Sequence, residues 1–237
     1  MKRSPVKLIA AAPALHVGAD GSASAAERSL ICEHRLAVNV DGAPFTELLC
    51  TRRDLRQLVL GRLYTAGRIA SAADVEALDF NADETRAEIR LRPGAAGRDV
   101  SAPTDESGWR GADIFCMARS LRAAMPLHDE TLGAHGAIVL RRGQVICCAE
   151  DIGRHNAIDK AVGGALEQDA AMSECLLYST GRIPSEVVEK TARAGIPVLV
   201  TRALPTADAV ERAEALGMTL IGRAWEEQYE VFAARRT

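Results

Sequence analysis

The sequence contains no apolar run near the ~20 residues that cross a bilayer, which excludes a membrane-spanning helix. It also has no excess of positive charge, because 29 Lys and Arg stand against 32 Asp and Glu, with both signs mixed along the chain. We therefore expect no extended nucleic-acid surface and no membrane association. A few arginines could still hold a small anion.

There is no Cys-x-x-Cys pair among the six cysteines, and their spacing is irregular. This argues against a disulfide framework or a zinc site and favours reduced thiols in a cytoplasmic protein. Most of these cysteines lie in apolar surroundings, where the side chain acts as a small hydrophobe. The start of the chain, Met1–Val17, faintly resembles a signal peptide, but Pro13 interrupts its alanine-rich apolar run, so we do not expect export.

Length and hydrophobic content suit an ordinary globular protein, since 237 residues that are 48% hydrophobic can bury an ample core. Residues 1–28 end in an Ala/Ser/Gly-rich stretch and are predicted to be flexible. Residues 29–100 show two hairpin patterns around one amphipathic helix, which predicts a small N-terminal α+β subdomain. The stretch 93–111, rich in Gly, Pro, Ser and charge, is the expected boundary.

Residues 112–237 are predicted to form an α/β domain, because strand and helix patterns alternate there. Strands are expected at 136–141, 144–148, 174–178, 196–201 and 218–222, and helices at 113–124, 151–166, 184–194 and 206–216. Repeated β-α-β units of this kind predict a largely parallel sheet covered by helices.

The densest polar stretch is Glu150–Lys160, which combines acids, bases, an imidazole and an amide between a predicted strand and a predicted helix. Such turns lie at the carboxyl ends of strands, where open α/β sheets bind ligands. Helical spacing places His155 on the inward side of the helix. The plainer interpretation is a helix cap with solvated charges and a core histidine.

Two further strand-to-helix turns, Ser179–Arg182 and Leu204–Thr206, are polar in the same way, and Thr206 can cap the helix that follows it. If the strands are parallel, the three turns meet at one edge of the sheet and build one pocket. Backbone N–H groups at the helix starts, together with Arg154 and Arg182, would suit a phosphate there.

Several ordered motifs resemble those of the formate dehydrogenase accessory protein family, FdhD/NarQ. The stretch Glu150–Asn156 matches the family's Glu-Asp-Val-Gly-Arg-His-Asn except at Ile152. Other stretches resemble further family motifs over most of the chain: Glu33–Gly42, Leu60–Ile69, Gly133–Ala137, Ser179–Val188, Pro205–Thr206 and Leu220–Gly222. A set of motifs in the same order is far more specific than a single motif, so the chain is identified as a member of this family.

The resemblance implies a cytidine-deaminase-like fold, with a three-layer α/β/α domain, and a homodimer. It implies a cytoplasmic sulfur carrier that accepts persulfide sulfur from a cysteine desulfurase and passes it to a guanylylated molybdenum cofactor destined for formate dehydrogenase. The expected ligand is bis-molybdopterin guanine dinucleotide or a guanine nucleotide, without zinc. The expected ligand-binding residues are His135, Glu150, Asp151, Gly153, Arg154, His155, Asn156, Ser179, Gly181, Arg182, Pro205, Thr206 and Arg223.

The chain departs from the family where the chemistry would occur. Family members carry a Cys-x-x-Cys in the loop that corresponds to Ser101–Gly111, and this interval has no cysteine. The weak candidates for a catalytic thiol are Cys116, on an apolar helical stretch, and Cys148, which the charge of Glu150 should keep protonated. Strand alternation predicts that Cys147 and Cys148 face opposite sides of the sheet.

The C-terminal turn departs as well, because Arg223–Gln228 carries two acids where the family has a basic, glycine-containing turn. We therefore predict that the chain keeps a binding function and carries no persulfide through the family's usual chemistry. One alternative is a non-catalytic chaperone that binds a nucleotide or the molybdenum cofactor. Another is a zinc deaminase, since Cys148-Ala149-Glu150 resembles its motif, but Pro184–Val188 lacks the second pair of ligands.

Overall fold

The N-terminal segment forms a hairpin that stands apart from the other sheets. The structure, a computed structural model, describes residues 7–235. Its first strands, β1 (Ile9–Val17) and β2 (Ala23–Ile31), pair antiparallel with each other alone. The expected flexibility of residues 1–28 is therefore wrong from Ile9 onward, because backbone hydrogen bonds build this ladder and need no hydrophobic pattern. The first six residues lie outside the described range.

The following region has the predicted α+β content. Its elements are β3 (His34–Val40), β4 (Ala43–Cys50), α1 (Leu55–Thr65), β5 (Val75–Phe80) and β6 (Arg86–Leu91). The strands form a sheet of order β4-β3-β6-β5, in which the two hairpins join through the parallel pair of β3 and β6.

The rest of the chain alternates helices and strands, as predicted for an α/β domain. Its elements are α2 (Gly111–Ala123), α3 (Pro126–Thr131), β7 (His135–Arg141), β8 (Gln144–Asp151), α4 (Arg154–Leu166), β9 (Cys175–Ser179), α5 (Ser185–Arg193), β10 (Val198–Thr201), α6 (Ala207–Ala215), β11 (Thr219–Gly222) and β12 (Glu230–Ala233). The sequence did not predict α3 or β12, because six and four residues are too short to show a period.

The larger sheet has the order β12-β11-β10-β9-β7-β8. Strands β9, β10 and β11 are parallel, as expected, but β7 is antiparallel to both of its neighbours. Two reversals in succession make β8 run in the same direction as β9. The ends of β8 to β11 and the start of β7 therefore share one side of the sheet, here called the carboxyl edge.

Helices cover both faces of this sheet, which gives the expected three α/β/α layers. One face packs against α4, α5 and α6, and the other against α2. The core on the side of α4, α5 and α6 continues into α1 and the N-terminal sheet. Segment 94–110, which contains no helix or strand, therefore does not separate two cores.

At the junction of α1 and α4, a Cβ on Gly61 would lie 1.8 Å from the carbonyl oxygen of Asp159, so only glycine allows this approach. None of the helices within residues 7–235 is both long and apolar enough to span a membrane.

Candidate ligand site at the carboxyl edge

The carboxyl edge brings together side chains from two of the predicted turns and from the start of β7. His135 begins β7, and its Nδ1 lies 3.3 Å from the Oγ1 of Thr180, which follows β9. Arg154, at the start of α4, lies directly over Gly181, where an added Cβ would come within 2.8 Å of the arginine Cβ and Cδ. Gly181 is therefore required for Arg154 to reach this position.

Three arginines at this edge have no acidic partner. Arg154, Arg182 and Arg202 follow β8, β9 and β10 respectively, and within residues 7–235 none of them forms an ion pair with a carboxylate. The Nε atom of Arg154 is buried and finds no hydrogen-bond partner in this part of the chain. Guanidinium groups without acidic partners at one edge favour a phosphate or another anion, and so the residues present fit an anionic cofactor.

A cleft opens beside these arginines, between α2 and the ends of β9 and β10. The guanidinium of Arg202 lies 5.4 Å from the ring centre of Trp225, and the hydroxyl of Tyr178 donates a hydrogen bond to the carbonyl oxygen of Ala224 at 2.7 Å. The cleft is shallow, with a volume of about 30 Å³; Leu121 and Met125 form its apolar wall, and Arg122 and Glu226 line it as well. The Trp225 ring and the Arg202 guanidinium offer flat faces on which a planar ring can stack.

Glu150, an expected ligand contact, is used inside the protein instead. Its side chain is 5% exposed, and its two carboxylate oxygens accept the backbone N–H groups of Leu127 and His128 at 2.9 and 2.8 Å. These bonds hold the start of α3 against the end of β8. Both oxygens are therefore already satisfied without a ligand.

Asp151 and Asn156 are also part of the framework. Asp151 is fully buried, with one oxygen 2.7 Å from the Nζ of Lys160 and bonded to the backbone N–H and hydroxyl of Thr51. Its other oxygen accepts hydrogen bonds from Gly153 and from Asn156, whose amide also donates to the carbonyl oxygen of Leu49. These contacts join the end of β4 to the start of α4.

His155 lies in a different groove from His135. Its Nε2 is 3.0 Å from a carboxylate oxygen of Glu186, and Arg62 and Lys190 line the same groove between α1 and α5. Burial, and next the charge of Lys190, lower the pKa of His155. His135 is not among the residues that line this groove, so the two histidines are not brought together there.

The remaining predicted residues support the turns rather than fill the cleft. Ser179 is fully buried and accepts the N–H of Gly181 at 3.3 Å. Thr206 caps α6, as predicted, by accepting the N–H of Ala209 at 3.2 Å, and Pro205 bridges to Ile183. Arg223, which follows β11 at the carboxyl edge, forms an exposed ion pair with Glu230 at 3.0 Å. Its charge is therefore already paired with a carboxylate.

The electrostatics of His135 reflect its cationic surroundings. Burial lowers its pKa first, and the charges of Arg154, His128 and Arg202 lower it further. The neutral imidazole is therefore favoured near pH 7, and an anion bound beside it would favour protonation.

Cys50 and Cys175 are buried, and the other four cysteines, Cys32, Cys116, Cys147 and Cys148, are partly exposed. Burial raises the pKa of Cys50 and of Cys147 to about 12, and that of Cys148 and of Cys175 to about 11. Cys148 packs in the α2 cluster while Cys147 meets Gly164 of α4, so the prediction of opposite faces is confirmed. Burial, rather than the charge of Glu150, is the cause at Cys148.

Four residues of the edge were not predicted: Thr180, Arg202, Trp225 and His128. Arg202 directly follows the predicted strand 196–201, so the reasoning applied to the other turns would have found it. Trp225 reaches the cleft only because β11 lies beside β10, and strand order cannot be deduced from hydrophobic spacing.

Comparisons with known proteins agree with the motifs. The FdhD/NarQ family profile matches residues 31–108 and 94–237. The chain is 30% identical to the sulfur carrier protein FdhD of Mycolicibacterium paratuberculosis over 90% of its own length and 92% of that protein, and 26% identical to that of Geobacillus kaustophilus over 87% and 88%. A crystal structure described as a formate dehydrogenase accessory protein from Desulfotalea psychrophila superposes with a TM-score of 0.85 at 25% identity, over 96% of this chain and 98% of the other. On the evidence of its motifs, its full-length relatives and its fold, the chain belongs to the FdhD/NarQ family.

Proposed function

We propose that this protein is a sulfur-carrier accessory protein for a formate dehydrogenase and that it binds the anionic, guanylylated molybdenum cofactor at the carboxyl edge. The names and lengths of its relatives support the accessory role. The observation that supports the ligand class is the buried, unsatisfied Nε of Arg154 near His135, on an edge where Arg182 and Arg202 also lack acidic partners in the described residues.

The residues divide naturally between the two parts of such a ligand. Arg154 begins α4 and Arg182 lies three residues before α5; neither helix has a side-chain cap, so backbone N–H groups and guanidinium groups would hold the phosphates together. The guanine ring would stack on the flat faces of Arg202 and Trp225, and His135 would exchange a hydrogen bond or a proton. The bound cofactor would supply the molybdenum that receives sulfur.

The partners implied by the family belong to the same proposal. A cysteine desulfurase would supply the sulfur, the protein would act as a homodimer, and the pathway would be cytoplasmic. The family's reacting cysteine pair is absent from Ser101–Gly111, so sulfur would have to pass from the desulfurase to the cofactor without a persulfide on that loop.

Calorimetric titration with guanosine diphosphate tests the ligand site. Arg154→Ala and Arg182→Ala should each bind about 10- to 100-fold more weakly, because a charge-assisted hydrogen bond is worth about 1.5–3 kcal/mol. Arg90→Ala, which removes an exposed partner of Glu76 on the N-terminal sheet, should bind like the native protein. If all three variants bound guanosine diphosphate as tightly as the native protein, Arg154 and Arg182 would not be part of the site. If the native protein did not bind it at all, the proposed ligand class would be wrong.

A further inference from the structure

A second polar groove lies between α1 and α5, at the start of α4. Its volume is about 280 Å³. That is room for several water molecules of ~30 Å³ each, but less than the ~300 Å³ at which pockets for drug-sized ligands begin, so a ligand here would be small. The polar lining comes from Arg62 and Thr65 of α1, His155 of α4, and Glu186, Lys190 and Arg193 of α5.

The cations of this groove are connected through one buried carboxylate. The Nζ of Lys190 lies 2.7 Å from both oxygens of Asp159, which is fully buried. The Nη1 of Arg62 lies 3.9 Å from the same carboxylate. The hydroxyl of Thr65 donates to Asp159 at 2.6 Å, and its carbonyl oxygen accepts a hydrogen bond from Arg193 at 2.9 Å. Lys190 and Asp159 form a pair without net charge, so the charges of the two arginines remain.

Both arginines have hydrogen-bonding capacity left over. The Nε of Arg62 is buried and has no hydrogen-bond partner within residues 7–235. Arg193 forms no ion pair with a carboxylate in the same part of the chain. A buried charged donor without an acceptor costs stability, so an anion that supplies the acceptor would bind favourably.

The acids that line the groove leave room for such an anion. Glu189 is paired with Arg212 at 2.8 Å, on the side of α6. Glu186 lies 3.0 Å from the Nε2 of His155, and its side chain is 67% exposed, so it can turn toward solvent. Among the described lining residues, Glu186 is therefore the acid that would compete with a bound anion.

We propose that this groove binds a small phosphate group, held by Arg62 from one wall and Arg193 from the other, while Glu186 turns outward and His155 donates to the anion instead. A tetrahedral oxyanion offers oxygens in several directions, which suits donors that come from three helices, whereas a carboxylate offers two oxygens in one plane. The site goes beyond the proposed cofactor site, because its two arginines belong to α1 and α5 rather than to the turns of the carboxyl edge.

The test follows the His155 ring protons by NMR at pH 7 while inorganic phosphate is added at constant ionic strength. Arg193→Ala should weaken phosphate binding about 10-fold or more. Glu186→Gln should tighten it about 2- to 5-fold, because the competing charge is removed from an exposed position. Arg90→Ala, which removes an exposed partner of Glu76, is the control and should bind like the native protein.

The two arms move in opposite directions, which separates ligand binding from damage to the fold. Arg193 also joins α5 to α1, so Arg193→Ala could unfold, and Glu186→Gln would then decide alone. Glycerol 3-phosphate, titrated in parallel, distinguishes a phosphorylated small molecule from the free ion, according to which binds more tightly.

Four outcomes would overturn the proposal. The first is an equal response of His155 to chloride, which would reflect screening alone. The second is unchanged phosphate affinity in a folded Arg193→Ala. The third is unchanged or weaker binding in Glu186→Gln. The fourth is tighter binding of acetate than of phosphate, which would make the ligand a carboxylate.

Discussion

Asp151 and Lys160 are both fully buried. Most polar side chains of the Glu150–Lys160 motif therefore bond to groups inside the protein rather than face solvent. Lys160 also donates to the carbonyl oxygens of Thr51 and Glu150, at 3.2 and 3.3 Å. A buried charge must be paired and hydrogen-bonded to be tolerated. The motif therefore combines framework residues with Arg154, the member that reaches the ligand site.

Replacing Asp151 with Asn should lower the free energy of unfolding by about 3–5 kcal/mol, because Lys160 would remain buried without a counter-charge. Urea unfolding at pH 7 measures the change. The matched control is Glu76→Gln, which breaks an exposed pair with Arg90 and should cost no more than about 1 kcal/mol. A loss as small in Asp151→Asn as in the control would contradict the framework role.

The pKa of His135 should rise in Arg154→Leu, because the second cause of its lowering, after burial, is removed. Titration of the ring protons by NMR measures this, and Arg90→Leu on the N-terminal sheet should leave the pKa where it is. The folded state binds this proton less readily than the unfolded state does. The His135 contribution to stability is therefore present above about 6.5, the ordinary pKa of histidine, and is lost as pH falls from 6.5 toward the lowered value. An unchanged His135 pKa in Arg154→Leu would show that the Arg154 charge does not act on His135.

At the scale of elements, the carboxyl edge is assembled by short pieces that bond to Glu150 and Asp151. Helix α3 has six residues and no side-chain cap of its own, so Glu150 supplies the acceptors for its first N–H groups. The segment after α3 leads directly to His135. The position of this histidine therefore depends on a carboxylate from the neighbouring strand.

Glu150→Gln should loosen α3 more than it destabilises the whole protein, because the amide offers one acceptor where two N–H groups need two. Hydrogen exchange should become about 5- to 30-fold faster across residues 127–135, which corresponds to about 1–2 kcal/mol of local stability. Glu130→Gln changes an exposed acid on the same helix and should leave exchange unchanged. Equal exchange in both variants would show that Glu150 does not hold α3.

At the scale of the whole molecule, packing on both faces of the larger sheet accounts for the state of five of the six thiols. Cys50 and Cys175 belong to the larger core cluster, Cys116 and Cys148 pack against the α2 cluster, and Cys147 lies against α4. Sulfur transfer needs an accessible thiolate. No cysteine stands in the 101–111 loop, where the family resemblance places the reacting pair.

We predict that incubation with a cysteine desulfurase and cysteine yields no stable persulfide on this protein through the family's usual chemistry. Intact-mass analysis checks this, since one added sulfur atom increases the mass by about 32 Da. A relative with the loop Cys-x-x-Cys is the positive control. An adduct that disappears in Cys116→Ser or in Cys148→Ser would contradict the prediction and identify the carrier thiol.

The sequence was most informative where elements are long and regularly patterned. Helices α2, α4, α5 and α6 and strands β7 to β11 lie close to their predicted ranges, because apolar spacing records which side faces the core. The hairpin of β1 and β2 has little such pattern, and α3 and β12 are too short to show one. Their existence depends on backbone pairing and on contacts from distant residues.

By itself the sequence determined the family, the α/β class and the presence of polar turns at strand ends, since all three are written in local order and spacing. Only the tertiary structure decided which polar groups are free to act. Glu150, Asp151 and Asn156 are satisfied by partners 2 to 107 residues away, whereas Arg154, Arg182 and Arg202 follow strands that end at one edge and have no acidic partners in the described residues. The physical reason is that hydrogen-bond satisfaction and strand order are properties of three-dimensional neighbours, which residue spacing along the chain does not specify.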